Sequence, residues 1–204
     1  MAFGLFGLLW SLWGLWQQEL LPQVPGSWLP ALLDSVFVKT VLWGLVPCFL
    51  FSRGRRLRES WFSSGFPVLP CVGLSCLSLC VLHTLRLVQG LGNTFLEWDW
   101  MFLFFSLSAG IVEEIGFRGC CFRYLEEKQG FWPAAILSSV LFTLYHYPDL
   151  LFGRSLGSLL SWRTLLLFGM GIVFCRMLHK WKNLMLNMVI HTVWDVLSYL
   201  FCLF

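Results

Sequence analysis

The sequence predicts an all-α protein: a polytopic bundle of about seven transmembrane helices (six to eight), holding a polar site inside it. Three observations predict this. Of 204 residues, 58% are hydrophobic, and only 25 are Asp, Glu, Lys or Arg, which is 12% of the chain and about half the share of a soluble domain. The mean hydropathy is +0.74, more apolar surface than a globule of this size can hide from water. The apolar residues also fall in runs long enough to cross a bilayer. Lipid is therefore the solvent, and the composition argues against a soluble protein, a disordered tail or a nucleic-acid binder.

A span needs about 20 apolar residues, somewhat fewer inside a bundle. The runs are 2–16, 30–51, 67–88, 98–117, 131–147, 163–179 and 184–204. The first is short, rich in Trp and Gly, and lacks the basic start of a signal peptide. It is expected to be retained, either as a crossing or as an interfacial helix. No repeat or domain-sized polar segment interrupts the series.

The loops set the orientation. Arg53, Arg55, Arg56 and Arg58 follow the second run, Arg118, Arg123 and Lys128 the fourth, and Arg176, Lys180 and Lys182 close the sixth. Together these are ten of the 14 bases. With seven crossings they share one side, which the positive-inside rule makes cytoplasmic, together with the N-terminus. The eight cysteines lie in or beside apolar stretches without a CxxC pair and are expected to pack as small hydrophobes. The 12 tryptophans lie mostly near run ends and are expected to anchor at the interface.

Charges inside a span cost about 2.5–3.5 kcal/mol each on insertion scales, so each marks a functional candidate. Glu113-Glu114-Ile115-Gly116-Phe117-Arg118 ends the fourth run. Glu114 and Arg118, four apart, can pair on a helix. Glu113 is then left beside a like charge in low dielectric, a setting suited to a general base. Phe142 and His146, also four apart, share a face near the end of the fifth run. His191 and Asp195 do so in the last, where Asp195 can orient the imidazole or both can hold one polar group. If these helices bundle, Glu113, Glu114, His146, His191 and Asp195 converge on one pocket. Such a set can activate water and stabilise an oxyanion. It can equally hold a divalent metal such as zinc through Glu113, His146 and His191. Either way the chemistry is hydrolysis of an amide bond inside the membrane.

EExxxR (Glu113, Glu114, Arg118), FxxxH (Phe142, His146) and HxxxD (His191, Asp195), in this order on successive apolar helices, resemble the CPBP family. This is the family of CAAX prenyl proteases and bacteriocin-processing proteins, also called Abi. The resemblance covers about residues 98–204, which become the expected catalytic core, with 1–97 as N-terminal transmembrane helices of the same membrane domain. It implies a glutamate-type or metallo intramembrane endopeptidase. Glu113 and His146 would activate water, Glu114 and Arg118 would support the site, and His191 with Asp195 would form the oxyanion hole. The family usually has Asn at this last place. An ionised Asp195 would repel an oxyanion, so it must be protonated or act by orienting His191.

The implied partners are membrane lipid and a membrane-associated protein or peptide substrate, with no nucleic acid. Short loops make the chain similar to small bacterial members, which implies a multi-pass protein of the bacterial cytoplasmic membrane. No GxGD pair, HExxH helix or Gly-x-Ser-Gly nucleophile appears, so other intramembrane protease classes do not fit. Two rival classes stay open: a non-catalytic self-immunity or scaffold protein, and a small proton-coupled transporter, which predicts repeats and broken helices.

Overall fold

The computed structural model describes residues 2–24, 28–51, 100–148, 150, 156–159 and 161–200. Among these residues there is no strand, and every long element is helical. Helix α1 is Ala2–Leu15, continued by a wider turn at Trp16–Leu20. Helix α2 runs over 28–51 and is π-helical at Leu33–Val38 and Thr40–Leu45. Helix α3 runs over 100–129, with Trp100–Glu113 followed by π-helical Glu114–Phe122 and then Arg123–Gln129. Helices α4 (Phe131–Tyr145), α5 (Trp162–Trp181) and α6 (Leu184–Leu200) complete the set.

The joints follow local chemistry. Gly130, at φ 80°, takes the left-handed turn that glycine tolerates, and its N–H donates to the Glu126 carbonyl, ending α3. Ser161 caps α5 by accepting from the Thr164 N–H at 3.3 Å, and Asn183 caps α6 by accepting from the Leu186 N–H at 3.3 Å. Only Lys182 and Asn183 separate α5 from α6, and Lys182 has a positive φ of 51°.

Packing places α4 against α5 and α3 against α6, with α2 laid along α3. Ser138 Oγ donates to the Phe117 carbonyl at 3.0 Å, tying α4 to α3. Ser108 Oγ donates to the Ser35 carbonyl at 3.0 Å, tying α3 to α2. The backbones of α2 and α3 nearly touch where Gly116 faces Trp43. The polarity is inverted relative to a soluble bundle. Phe37, Val41, Leu45 and Phe49 form an outward stripe on α2, and Trp132, Ile136 and Val140 form another on α4. Glu113, Glu114, Arg118, Asn187 and His191 are buried. Apolar outside and polar inside suits lipid.

Several expectations change. Leu29–Phe49 and Trp162–Trp181 (21 and 20 residues) are long and apolar enough to cross a membrane, while Phe131–Tyr145 and Leu184–Val196 are shorter apolar helices. Of the expected seven crossings, two are thus carried by helices of spanning length among the described residues. The run 67–88 lies outside the described residues, as do Arg53, Arg55, Arg56 and Arg58. Arg118 is not a loop base: helix α3 carries on past 117, and its side chain is 0% exposed. Trp13 and Trp43 are core residues, not interfacial anchors. Both are buried, with Trp43 stacked on Phe117 at 5.5 Å and Trp13 on Tyr145 at 5.9 Å. Among the described residues, Cys48, Cys120, Cys121 and Cys175 form no disulfide; Cys48 Sγ lies 3.5 Å from Cys120 Sγ, and Cys120 and Cys175 pack in the core.

Candidate active site

Glu113 is the last residue of the α-helical part of α3, and Glu114 opens its π-helical part. Their side chains divide the surroundings between them. Glu114 Oε1 lies 3.0 Å from an Arg118 nitrogen and accepts from His191 Nδ1 at 2.9 Å, while Oε2 accepts from Asn187 Nδ2 at 3.2 Å. Arg118 is thus four residues away in contact, as its spacing predicts. The contact is an ion pair without hydrogen-bond alignment, since no guanidinium nitrogen makes an aligned bond among the described residues. Instead its Cζ sits 4.0 Å from the ring centre of Phe142 and 5.3 Å from that of Phe174, where cation–π attraction compensates part of the lost hydration.

Glu113 faces the other way. Its Oε1 lies 3.3 Å from the Lys39 ammonium and accepts from the Tyr145 hydroxyl at 3.0 Å. Its Oε2 stands 3.9 Å from His146 Nε2 and 3.7 Å from His191 Nε2. The expectation that a like charge dominates the setting of Glu113 is therefore corrected, because a cation from α2 stands against it.

The histidines are held by their other nitrogens. His146 terminates α4, and its Nδ1 lies 2.9 Å from the Phe142 carbonyl. A neutral ring donates there, which leaves Nε2 with a lone pair toward Glu113. His191 gives Nδ1–H to Glu114, and its ring stacks on Phe174 at 5.4 Å. Asp195 Oδ1 lies 3.7 Å from His191 Nε2, and its side chain is 28% exposed. Phe142 touches the rings of both histidines, with centres 4.8 and 6.0 Å away. His146, His191 and Asp195 open on a cavity of about 120 Å³ otherwise walled by groups such as Leu166, Leu167 and Met170.

All seven residues picked from the sequence (Glu113, Glu114, Arg118, Phe142, His146, His191 and Asp195) thus stand in one cluster. Three further members were missed: Lys39, Tyr145 and Asn187. Asn183, Asn187, His191 and Asp195 recur every four residues, a stripe that would have flagged Asn187. Lys39 lies inside an apolar run, the criterion that flagged Glu113.

The metal candidates Glu113, His146 and His191 stand together, with one oxygen of Glu113 turned to the histidines and the other to Lys39. Two donors each about 2.0–2.2 Å from one tetrahedral zinc stand about 3.3–3.6 Å apart; Oε2 is 3.7–3.9 Å from both nitrogens, slightly wider than that. Among the described residues no group of three such side chains is gathered for a metal.

Comparison with known families decides the class. The profile of a family described as type II CAAX prenyl endopeptidase, Rce1-like, matches residues 94–197. The chain belongs to this family. It is by that membership a protease, of a membrane-embedded family, in agreement with the three motifs. The match spans all seven candidates and stops short of α1 and α2. No curated protein and no solved structure matches the chain.

Proposed function

We propose that the protein is an intramembrane endopeptidase that hydrolyses a peptide bond of a membrane-associated protein or peptide, using water activated by Glu113 and His146. The observation that carries this reading is the gap at Glu113 Oε2, 3.9 Å from His146 Nε2 and 3.7 Å from His191 Nε2. These separations exceed a direct hydrogen bond and suit one bridging water. That water would give a proton to Glu113 or to the His146 lone pair as it attacks the carbonyl carbon, and the same groups would return the proton to the leaving amine.

His191 and Asp195 form the proposed oxyanion site. With Nδ1–H committed to Glu114, His191 donates from Nε2 only when both ring nitrogens carry protons, an imidazolium set among Glu113, Glu114 and Asp195. Asp195 then orients that ring, or donates to the oxyanion itself when protonated. Glu114, Arg118 and Asn187 hold His191 from behind.

For substrate, the family's name supplies the first candidate, a prenylated CAAX peptide; a leader peptide of a bacterial membrane protein is the second. With seven crossings, the clustered bases other than Arg118 would support a cytoplasmic N-terminus. The test is cleavage of both peptides, tethered in liposomes, by wild type and by Glu113→Ala, Glu114→Ala, His146→Ala and His191→Ala. Wild type is expected to cleave one of them and the four variants to fail. Unchanged processing by all four variants overturns the reading.

A further inference from the structure

Lys39 lies in Leu29–Phe49, a helix apolar enough to cross a membrane. A cation there is expensive unless it finds partners, and its side chain is only 18% exposed. Its neighbours Phe37 and Val41 face outward, so the helix turns Lys39 toward α3. There it meets Glu113 Oε1 at 3.3 Å, with the rings of Trp13 and Tyr145 at 5.9 and 5.8 Å. The close backbone approach of Trp43 to Gly116 and the Ser108 bond to the Ser35 carbonyl bracket Lys39 on α2, so its place along Glu113 is set by packing.

We propose that Lys39, from the first half of the chain, is a positioning residue that together with Tyr145 holds Oε1 of Glu113 so that Oε2 faces His146 and His191. A carboxylate on a free glutamate side chain rotates about its last torsion, which is broad and roughly two-fold. Two donors on one oxygen fix which oxygen points at the histidines. Lys39 lies outside the segment 94–197 shared with the family, so α2 is part of the reactive apparatus of this chain and not only a membrane anchor. The inference rests on the reading of Glu113 as the base.

The test compares full-length wild type, Lys39→Met, Lys39→Arg, Tyr145→Phe and Glu113→Gln in liposomes, on the prenylated CAAX and leader peptides. It reads kcat, KM and thermal unfolding. Lys39→Met is expected to lower kcat by about 10²-fold with KM and unfolding temperature little changed. Lys39→Arg is expected to restore most of the loss, and Tyr145→Phe to show a smaller fall in kcat. Wild-type kcat in Lys39→Met beside an inactive Glu113→Gln overturns the role of Lys39 and leaves the base reading standing. A loss of kcat that only tracks the loss of folded protein, without rescue by Arg, overturns it as well. An active Glu113→Gln, or a wild type that cleaves neither peptide, overturns the base reading and this inference with it.

Discussion

Gly116→Ala is the substitution whose effect the packing determines most sharply. A Cβ on Gly116 would overlap the carbonyl oxygen of Trp43 outright and stand 3.1 Å from its carbonyl carbon. The obstacle is backbone, so no rotamer relieves it. Carbon contacts are comfortable at about 3.5–4.0 Å, which requires α2 to withdraw from α3 by roughly 1 Å. Overpacking of this kind costs about 1–3 kcal/mol. The same withdrawal lengthens the 3.3 Å contact between Lys39 and Glu113, and a misplacement of about 1 Å at a reactive centre can cost on the order of 10²-fold in rate. Thermal unfolding in detergent and peptide cleavage in liposomes read the two effects. Gly4→Ala is the control, because nothing among the described residues lies within 4 Å of its new Cβ. If Gly116→Ala matches Gly4→Ala in both assays, α2 does not seat against α3 as described, and the placing of Lys39 fails with it.

Asn187→Leu removes two buried donor bonds, to Glu114 at 3.2 Å and to the Phe174 carbonyl at 2.9 Å. Bonds to charged groups contribute about 1.5–3 kcal/mol, so the variant should unfold at clearly lower temperature, and an unchanged melting curve would contradict that network. Asp195→Asn should keep cleavage at or above the wild-type rate, since the amide removes charge from the oxyanion site; a fall on the order of 10²-fold or more would make Asp195 an acid–base group instead. Chelation should leave cleavage intact. One metal per chain by elemental analysis, with activity lost on its removal, would transfer the activation of water from the carboxylate to a metal.

What could be read from the sequence follows the reach of helical geometry. Glu114 with Arg118, Phe142 with His146, and His191 with Asp195 are each four residues apart, and one helix suffices to put each pair on one face. The caps at Ser161 and Asn183 and the turn at Gly130 are equally local. Lys39 is 74 residues from Glu113, and no spacing rule joins two helices across that distance. Its partner could not be named in advance, although an intramembrane lysine was visible. Asn187 escaped because an amide carries no charge to count, even though it continues the stripe of His191 and Asp195. Arg118 looked like a loop base because helix α3 was expected to end at 117. The tryptophans misled for a related reason: position near a run end suggests the interface, but stacking partners on other helices decide burial for Trp13 and Trp43.

The most direct test of the central claim is the single-turnover cleavage rate of a tethered peptide by Glu113→Gln against wild type, at equal amounts of folded protein. The amide preserves the size of the side chain and the contact with Tyr145 while abolishing its function as a base. The account predicts a loss on the order of 10²- to 10⁴-fold with peptide binding retained. A variant that cleaves at the wild-type rate would contradict it.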